Sequence, residues 1–437
     1  MSLDGGGKLA SDSPSPPAGP VFIHSSWRTC KTWLWAKFRK FPTAVCFYEP
    51  HGEHCAKLSQ PKIASFNSRE WASRHPREVG PYFTEYLPLV GQAGEKGLPG
   101  YREAFALRSY LRDADSSPDE IGEAEISYLA SLIASASTSV RGGRAVFGCA
   151  RTMGRIGFLK RRLGGQHLVL VRDPYKQWLS IADQWRKHRN PYFAATYLMI
   201  VGCGRRHPFL GALASRFGIP EIQGDDFEQE MNGYQALCET VPPARLYEIF
   251  LRVQTASYLA GFASADLILD ADQLAESAGL QTSAAREIAA LTGFAPTLAD
   301  CRPTHTSIGP DDEENLATTE TVRREVEAGT FGFAVSEASD TSAPARQQAL
   351  SLLAQTAETI RAVPLPPALF RQLSETAQAE LQAARLEAAR LSLEFQTVQT
   401  KLQLLRAAWT RQFRAASPPR RTVVTTSPSR PQPIRPA

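Results

Sequence analysis

The chain has no run of eighteen apolar residues, so no membrane-spanning helix is expected. Its N-terminal stretch also lacks the apolar segment of a secretory signal. Rich in Gly, Ser and Pro, residues 1–19 read as a disordered leader. Cysteines are few and scattered: Cys30, Cys46, Cys55, Cys149, Cys203, Cys238 and Cys301 form no C-x-x-C pair and no Cys/His spacing of a zinc site. A reduced, cytoplasmic setting and no bound metal are the expectations. A large excess of charge of one sign is lacking too. The formal net charge is +5, part of it in an arginine-rich tail, so no nucleic-acid partner is expected.

What is present is apolar residue enough for a large core: 43% of 437 residues, sufficient for one large α/β domain with appendages. The pattern is organised around the stretch from Pro20 to Trp33. Residues 20–26 read as a strand, the middle is small and polar with two cations, and a helical pattern opens at Lys31 and runs to Phe41. A strand, a tight turn and a helix N-terminus make an anion cradle, because unpaired N–H groups and the helix dipole both favour negative charge there. Arg28, Thr29, Lys31 and Thr32 add side-chain donors to it. Both glycines of the nucleotide-binding loop G-x-x-x-x-G-K-S/T are absent, with Ser25 and Cys30 in their places, which argues against an ATP or GTP site of the usual kind. If the loop needs positive φ at position 30, Cys costs conformational energy there that Gly would not.

The stretch from His167 to Ser180 repeats the plan: a buried-strand run, a polar turn and a helix. Arg172-Asp173-Pro174 follows the strand, and Ser180 lies eight residues after Arg172. A forked guanidinium with a hydroxyl suits a dianionic phosphate.

Together the two stretches resemble the signatures of the sulfotransferases that take 3′-phosphoadenosine 5′-phosphosulfate (PAPS) as donor. The first is similar to their 5′-phosphosulfate loop, Y-P-K-S-G-T-T-W. Arg28 stands on its lysine, Thr29 on its serine, Cys30 on its glycine, Lys31 and Thr32 on its threonines and Trp33 on its tryptophan. The second resembles the strand and Arg-Asp/Asn-Pro turn whose arginine, with the later serine, grips the donor's 3′-phosphate. The resemblance runs over about residues 20–190 by motif and to 305 by general layout. It implies a P-loop-like parallel β-sheet flanked by helices, with PAPS as co-substrate and no metal. The donor contacts would be Ser26, Trp27, Arg28, Thr29, Cys30, Lys31, Thr32, Arg172 and Ser180, with Arg28 and Lys31 also stabilising charge on the departing phosphate. Arg302 sits where the family places a late basic loop over the 3′-phosphate. The acceptor would be a hydroxyl of a small molecule or a glycan, most plausibly a carbohydrate.

A second strand, Ala44 to Tyr48, follows the first helix. Consecutive strands joined by a helix imply a right-handed parallel crossover, which would lay this strand beside the first. Ligands of parallel sheets bind outside the carboxyl ends of the strands. This strand therefore delivers Glu49, His51, Glu53 and His54 to the working edge. In heparan-type sulfotransferases a glutamate at a similar distance after the loop lysine is the catalytic base. Glu49 lies twenty-one residues after Arg28 and is the first candidate. Glu53, His51 and His54 are the others.

Residues 57–120 carry Trp71, Tyr82, Phe83 and Tyr86 among Pro and Gly breaks, and read as an acceptor-binding lid or as a surface excursion with a satellite core. Helices are expected at 121–137, 151–163, 177–188, 192–202, 206–216, 243–262 and 282–292, and strands at 145–149, 167–171 and 266–270. The basic character of 151–163 reads as a solvated face, with help in holding an anionic nucleotide as the alternative, and Asp270 as a turn or cap residue. Residues 306–344 are polar and acidic and read as a linker after a domain spanning 20–305. A helix is expected at 345–361. From Phe370 to Phe413 apolar residues recur at 3/4 spacing, a coiled coil within the helical region 345–415, through which the chain would form a homo-oligomer. Residues 416–437 read as a disordered basic tail. The rival readings are a nucleotide or small-molecule kinase of P-loop architecture, and a catalytically inactive scaffold assembling partners through the coiled coil.

Overall fold

Continuous apolar runs bounded by polar turns become the strands of one parallel sheet, ordered β2-β3-β1-β4-β5. They are β1 (Val21–Ser25), β2 (Ala44–Tyr48), β3 (Arg144–Cys149), β4 (Gln166–Val171) and β5 (Leu267–Asp270). A computed structural model describes residues 19–66, 80–91, 97–112, 119–302, 312–333 and 342–362. All of them fall within one unit, Met1–Pro364. The leader up to residue 18, Trp71, the heptad series 370–413 and the tail lie outside the described residues.

β1 and β4 are buried along their whole length, as strands covered on both faces must be. Alternation divides β4 between two clusters. Leu168 and Leu170 pack with Leu34 and Phe38, while Val169 and Val171 pack with Tyr175, Leu198 and Phe250. Among the described residues the helices of eight or more residues are α1 (Lys31–Phe38), α2 (Glu120–Ser139), α3 (Ile156–Leu163), α4 (Pro174–His188), α5 (Tyr192–Cys203), α6 (Pro208–Phe217), α7 (Phe227–Cys238), α8 (Pro243–Phe262), α9 (Ala278–Thr292), α10 (Asp312–Ala328) and α11 (Ser342–Arg361). None is long and apolar enough to cross a membrane.

Four expectations need correction. β2 does not lie beside β1, because β3 sits between them, pairing Val146 with Val21 on one side and Arg144 with Ala44 on the other. The burial pattern explains the order: β3 is covered from Ala145 to Cys149, whereas β2 is half-exposed at both ends and suits an edge. The stretch 151–163 begins as a 3-10 turn, Met153–Arg155, and its first two arginines are buried, not solvated. Helix α7 has no counterpart among the expected elements. Residues 306–344 contain α10, whose stripe Asn315, Thr319, Val322 and Val326 is buried. Tyr247 and Thr319 share a hydrogen bond of 2.8 Å there, and Arg252 pairs with Glu325. Asp270 caps the short helix Ala271–Glu276 by accepting from the Asp272 and Gln273 N–H groups, as expected.

Beneath the carboxyl edge of the sheet runs a directed chain of hydrogen bonds. The Gly164 carbonyl accepts from His167 Nε2 (3.1 Å), so His167 Nδ1 accepts from His24 Nε2 (2.9 Å) and His24 Nδ1 accepts from the Thr152 hydroxyl (2.7 Å). Both rings are neutral in this arrangement. Burial holds both below the ordinary histidine range, His167 at about 4. In the unfolded chain these imidazoles take up protons near pH ~6.5. The folded chain refuses them until lower pH, so the unfolded state binds more protons in that window and stability falls with falling pH. The urea midpoint should drop as pH goes from ~6.5 toward ~4, and less steeply in the His24→Leu/His167→Leu double variant. A midpoint that stays level across this range would show the imidazoles to be as accessible folded as unfolded.

Candidate functional site

After Ser25 the chain turns through Ser26–Cys30 into α1. Two loop residues adopt left-handed backbone, Arg28 at φ 67° and Cys30 at φ 64°. Interleaving left-handed with ordinary residues turns successive N–H groups toward one concavity. The N–H groups of residues 28 to 32 meet no acceptor among the described residues, while Trp33 and Leu34 bond the Cys30 carbonyl. The loop thus has the backbone of an anion cradle, and Cys30 occupies the position where positive φ costs a side chain about 1–2 kcal/mol.

The loop side chains are less available than the sequence implies. Thr29 is buried and donates to the Ser26 carbonyl at 2.7 Å. Ser26 is buried as well. The Trp27 ring belongs to the core, with centroids 6.1 Å from Tyr110 and 5.7 Å from Tyr197, and its carbonyl accepts from Gln177 Nε2 at 2.7 Å. Thr32 bonds the Tyr48 hydroxyl at 3.0 Å, and Trp33 donates to Asp300 at 3.2 Å. Lys31 is buried and ion-paired with Glu49. The reason is local: with residues 28 and 30 turned left-handed, the cradle is built of N–H groups, and the hydroxyls brace the turn from behind.

Arg28 is the exception, and it joins the two motifs. Its Nε donates to Ser180 Oγ at 2.9 Å, and an Arg172 NH donates to the Arg28 carbonyl at 3.1 Å. The Arg28 guanidinium stands 5.5 Å from the Phe193 ring centroid. Burial, and then the neighbouring Arg172 charge, lower the Arg28 pKa. Arg172 is steadied by Asp272 Oδ1, 3.7 Å from its Nε, and by Tyr258, whose hydroxyl donates to the Arg172 carbonyl at 3.2 Å. Arg302 is exposed and folds onto the Ala299 and Cys301 carbonyls (2.7 and 2.8 Å), and those bonds do not reach Arg28, Arg172 or Ser180.

Glu49 follows β2 at φ 46° and is buried. One carboxylate oxygen takes Lys31. The other accepts from Arg151 at 3.0 Å and from the Ala150 N–H at 3.2 Å. Arg151 continues to Glu53 Oε2 at 2.5 Å, and the Tyr192 hydroxyl donates to Glu53 Oε1 at 2.7 Å. Burial alone would raise the Glu53 pKa, but Arg151, His54 and Tyr192 outweigh it and hold it below the usual carboxylate range. Burial likewise draws the Lys31 pKa well down. Of the alternative bases, His51 is turned inward onto Glu125 (2.9 Å), which is itself bonded by the buried Arg155 (3.2 Å), and burial lowers His51 to about 4. His54 lies half-buried, 3.6 Å from Glu53.

Arg151 and Tyr192 are central to this cluster and were not among the expected site residues. Arg151 had a signal: it lies two residues after β3, much as Arg172 lies one residue after β4. Tyr192, at the start of α5, had none. The aromatic stretch does not form a satellite core: Tyr82, Phe83 and Tyr86 are buried against Phe47, Tyr48 and Phe66, within the core cluster of the sheet itself.

Comparison of the chain with protein-family models, with curated proteins and with solved structures found no match.

The site therefore offers paired guanidiniums with a hydroxyl at one end, a cradle of N–H groups in the middle, and a carboxylate–cation cluster beside it. Groups of this kind are suited to a multiply charged anion, while the carboxylates beside them are engaged by Lys31, Arg151 and Tyr192. The left-handed turn is open to test. Cys30→Gly should hold or raise stability by up to about 1 kcal/mol, and Cys30→Val should lower it by about 1–3 kcal/mol, read by urea denaturation. A glycine variant markedly weaker than the parent would mean that position 30 does not adopt positive φ.

Proposed function

We propose that this chain is a sulfotransferase that moves a sulfuryl group from PAPS to a hydroxyl of a carbohydrate acceptor, on a P-loop-like sheet. The observation that carries the reading is the meeting of Arg28, Arg172 and Ser180, two motifs whose arginines are 144 residues apart in sequence. A donor with phosphates at both ends of an adenosine needs cationic groups from two strand tips within the span of one nucleotide, and β1 and β4 are neighbours.

In this reading Arg172 and Ser180 take the 3′-phosphate. The loop N–H groups with Arg28 and Lys31 take the 5′-phosphosulfate and stabilise the charge that grows on the phosphate oxygen as its bond to sulfur breaks. The acceptor oxygen bonds to sulfur as its proton passes to Glu49. Glu49 accepts from three donors, and a carboxylate so held is a poor base. The reading therefore requires Lys31 to turn from Glu49 to the anion, which frees one carboxylate oxygen. The heptad series 370–413 supplies self-association.

The same engaged carboxylate favours a second reading, a protein that binds the nucleotide without turning it over. Calorimetry with adenosine 3′,5′-bisphosphate and an assay with PAPS and a panel of sugars decide between them. Arg28→Ala and Arg172→Ala should each abolish binding of the bisphosphate. Glu49→Gln should keep it and lower turnover about 10²–10⁴-fold. Unchanged affinity in both arginine variants refutes a PAPS site, and full affinity with no transfer to any sugar selects the second reading.

A further inference from the structure

Helix α11 reaches this site from outside both motifs. Thr359 Oγ1 donates to Asp173 Oδ2 at 2.7 Å and is the one donor to that oxygen among the described residues. Asp173 is fully buried and caps α4: its Oδ1 accepts the Tyr175 and Lys176 N–H groups at 2.8 and 3.1 Å. Its own N–H donates to Asp272 Oδ2 at 3.0 Å, and Asp272 Oδ1 lies 3.7 Å from Arg172 Nε and 3.5 Å from Lys176 Nζ. One carboxylate thus sets the turn that carries Arg172 and the first turn of the helix that carries Ser180. An unfilled oxygen on it would be a buried acceptor without a partner, free to rotate away from the cap. Helix α11 is firmly seated, with Leu352, Leu353, Thr356, Ala357 and Ile360 buried and Arg361 bridged to Glu320 of α10 at 2.5 Å.

We propose that Thr359 is a positioning residue of this site: by filling Asp173 Oδ2 it holds the cap of α4, and through it Arg172 and Ser180, in the geometry that receives a phosphate. This deepens the reading above and rests on it for the ligand, whereas the role of Thr359 in the cap stands apart from it. The full chain is used for the test, with hydrogen exchange across residues 172–180 and calorimetry with adenosine 3′,5′-bisphosphate. Thr359→Val should speed exchange of the Tyr175 and Lys176 amides about 5-fold and weaken the bisphosphate by a similar factor, the worth of one hydrogen bond. Thr359→Ser should restore both. Thr356→Val, on the same helix but with its hydroxyl bonded to the Leu352 carbonyl, should change neither. Thr359→Ala replaces the valine variant should that one not fold. Exchange at 175 and 176 that is the same in Thr359→Val as in the parent, or altered equally by Thr356→Val, overturns the proposal. A parent chain that binds no bisphosphate defeats the nucleotide reading alone, and the exchange comparison still decides the role of Thr359.

Discussion

Two guanidinium groups drawn together at the tips of neighbouring strands set the terms for the whole carboxyl edge of the sheet. Arg28 and Arg172 repel each other, and partial burial strengthens that repulsion. The surroundings offset it piece by piece: a backbone carbonyl for Arg172, a serine hydroxyl and an aromatic face for Arg28, and Asp272 a little farther off. Each of these holds one guanidinium in place by a different contact, so the pair is fixed by its surroundings and not by a single shared counter-ion among the bonds named. Paired β1 and β4 make this possible, since their register places the ends of both strands side by side.

A second tier of buried charge stands behind that edge. Arg151 ties Glu49 to Glu53, and Arg155 holds Glu125, which holds His51. Buried ion pairs seldom add net stability over apolar packing, because desolvation consumes most of the attraction. Their value lies in direction: each carboxylate has few orientations left. The two tiers differ in use. The Arg155 tier is closed by Ser109 and the Phe105 carbonyl and faces the interior, whereas the Arg151 tier includes Lys31, a residue of the anion loop.

Much of this could be read from the residues alone, for reasons particular to each. Val21–Ser25 and Gln166–Val171 were legible because a strand covered on both faces is mostly apolar, with the buried His24 and His167 bonded to each other. The turns that follow these strands were legible because a polar, cationic turn between an apolar run and a helical pattern marks a strand-to-helix connection. Strand order was not, since nothing within Ala44–Tyr48 records that a partner at Arg144–Cys149 will intervene. Arg151 and Arg155 read as solvated because a basic helix usually is, and their partners Glu53 and Glu125 lie far off in sequence. Helix α10 was hidden by composition: its inward stripe includes the polar Asn315 and Thr319, the latter buried with its hydroxyl bonded to Tyr247 and to the Asn315 backbone carbonyl. Tyr82, Phe83 and Tyr86 show the opposite limit, where the same letters describe a lid or a core.

The central place of β1 has a consequence for how the molecule is made. Val21 pairs with Val146 on one edge and with Gln166 on the other. During synthesis this strand leaves the ribosome with neither neighbour yet translated, and it holds an apolar run with both edges bare through the making of all the chain between. Closing such distant pairs is slow, and an unpaired apolar strand is a template for intermolecular sheet. The anion loop attached to it takes shape only when β3 and β4 arrive. Truncation before residue 166 therefore leaves β1 without one of its two neighbours and the loop after it without the strand beside it.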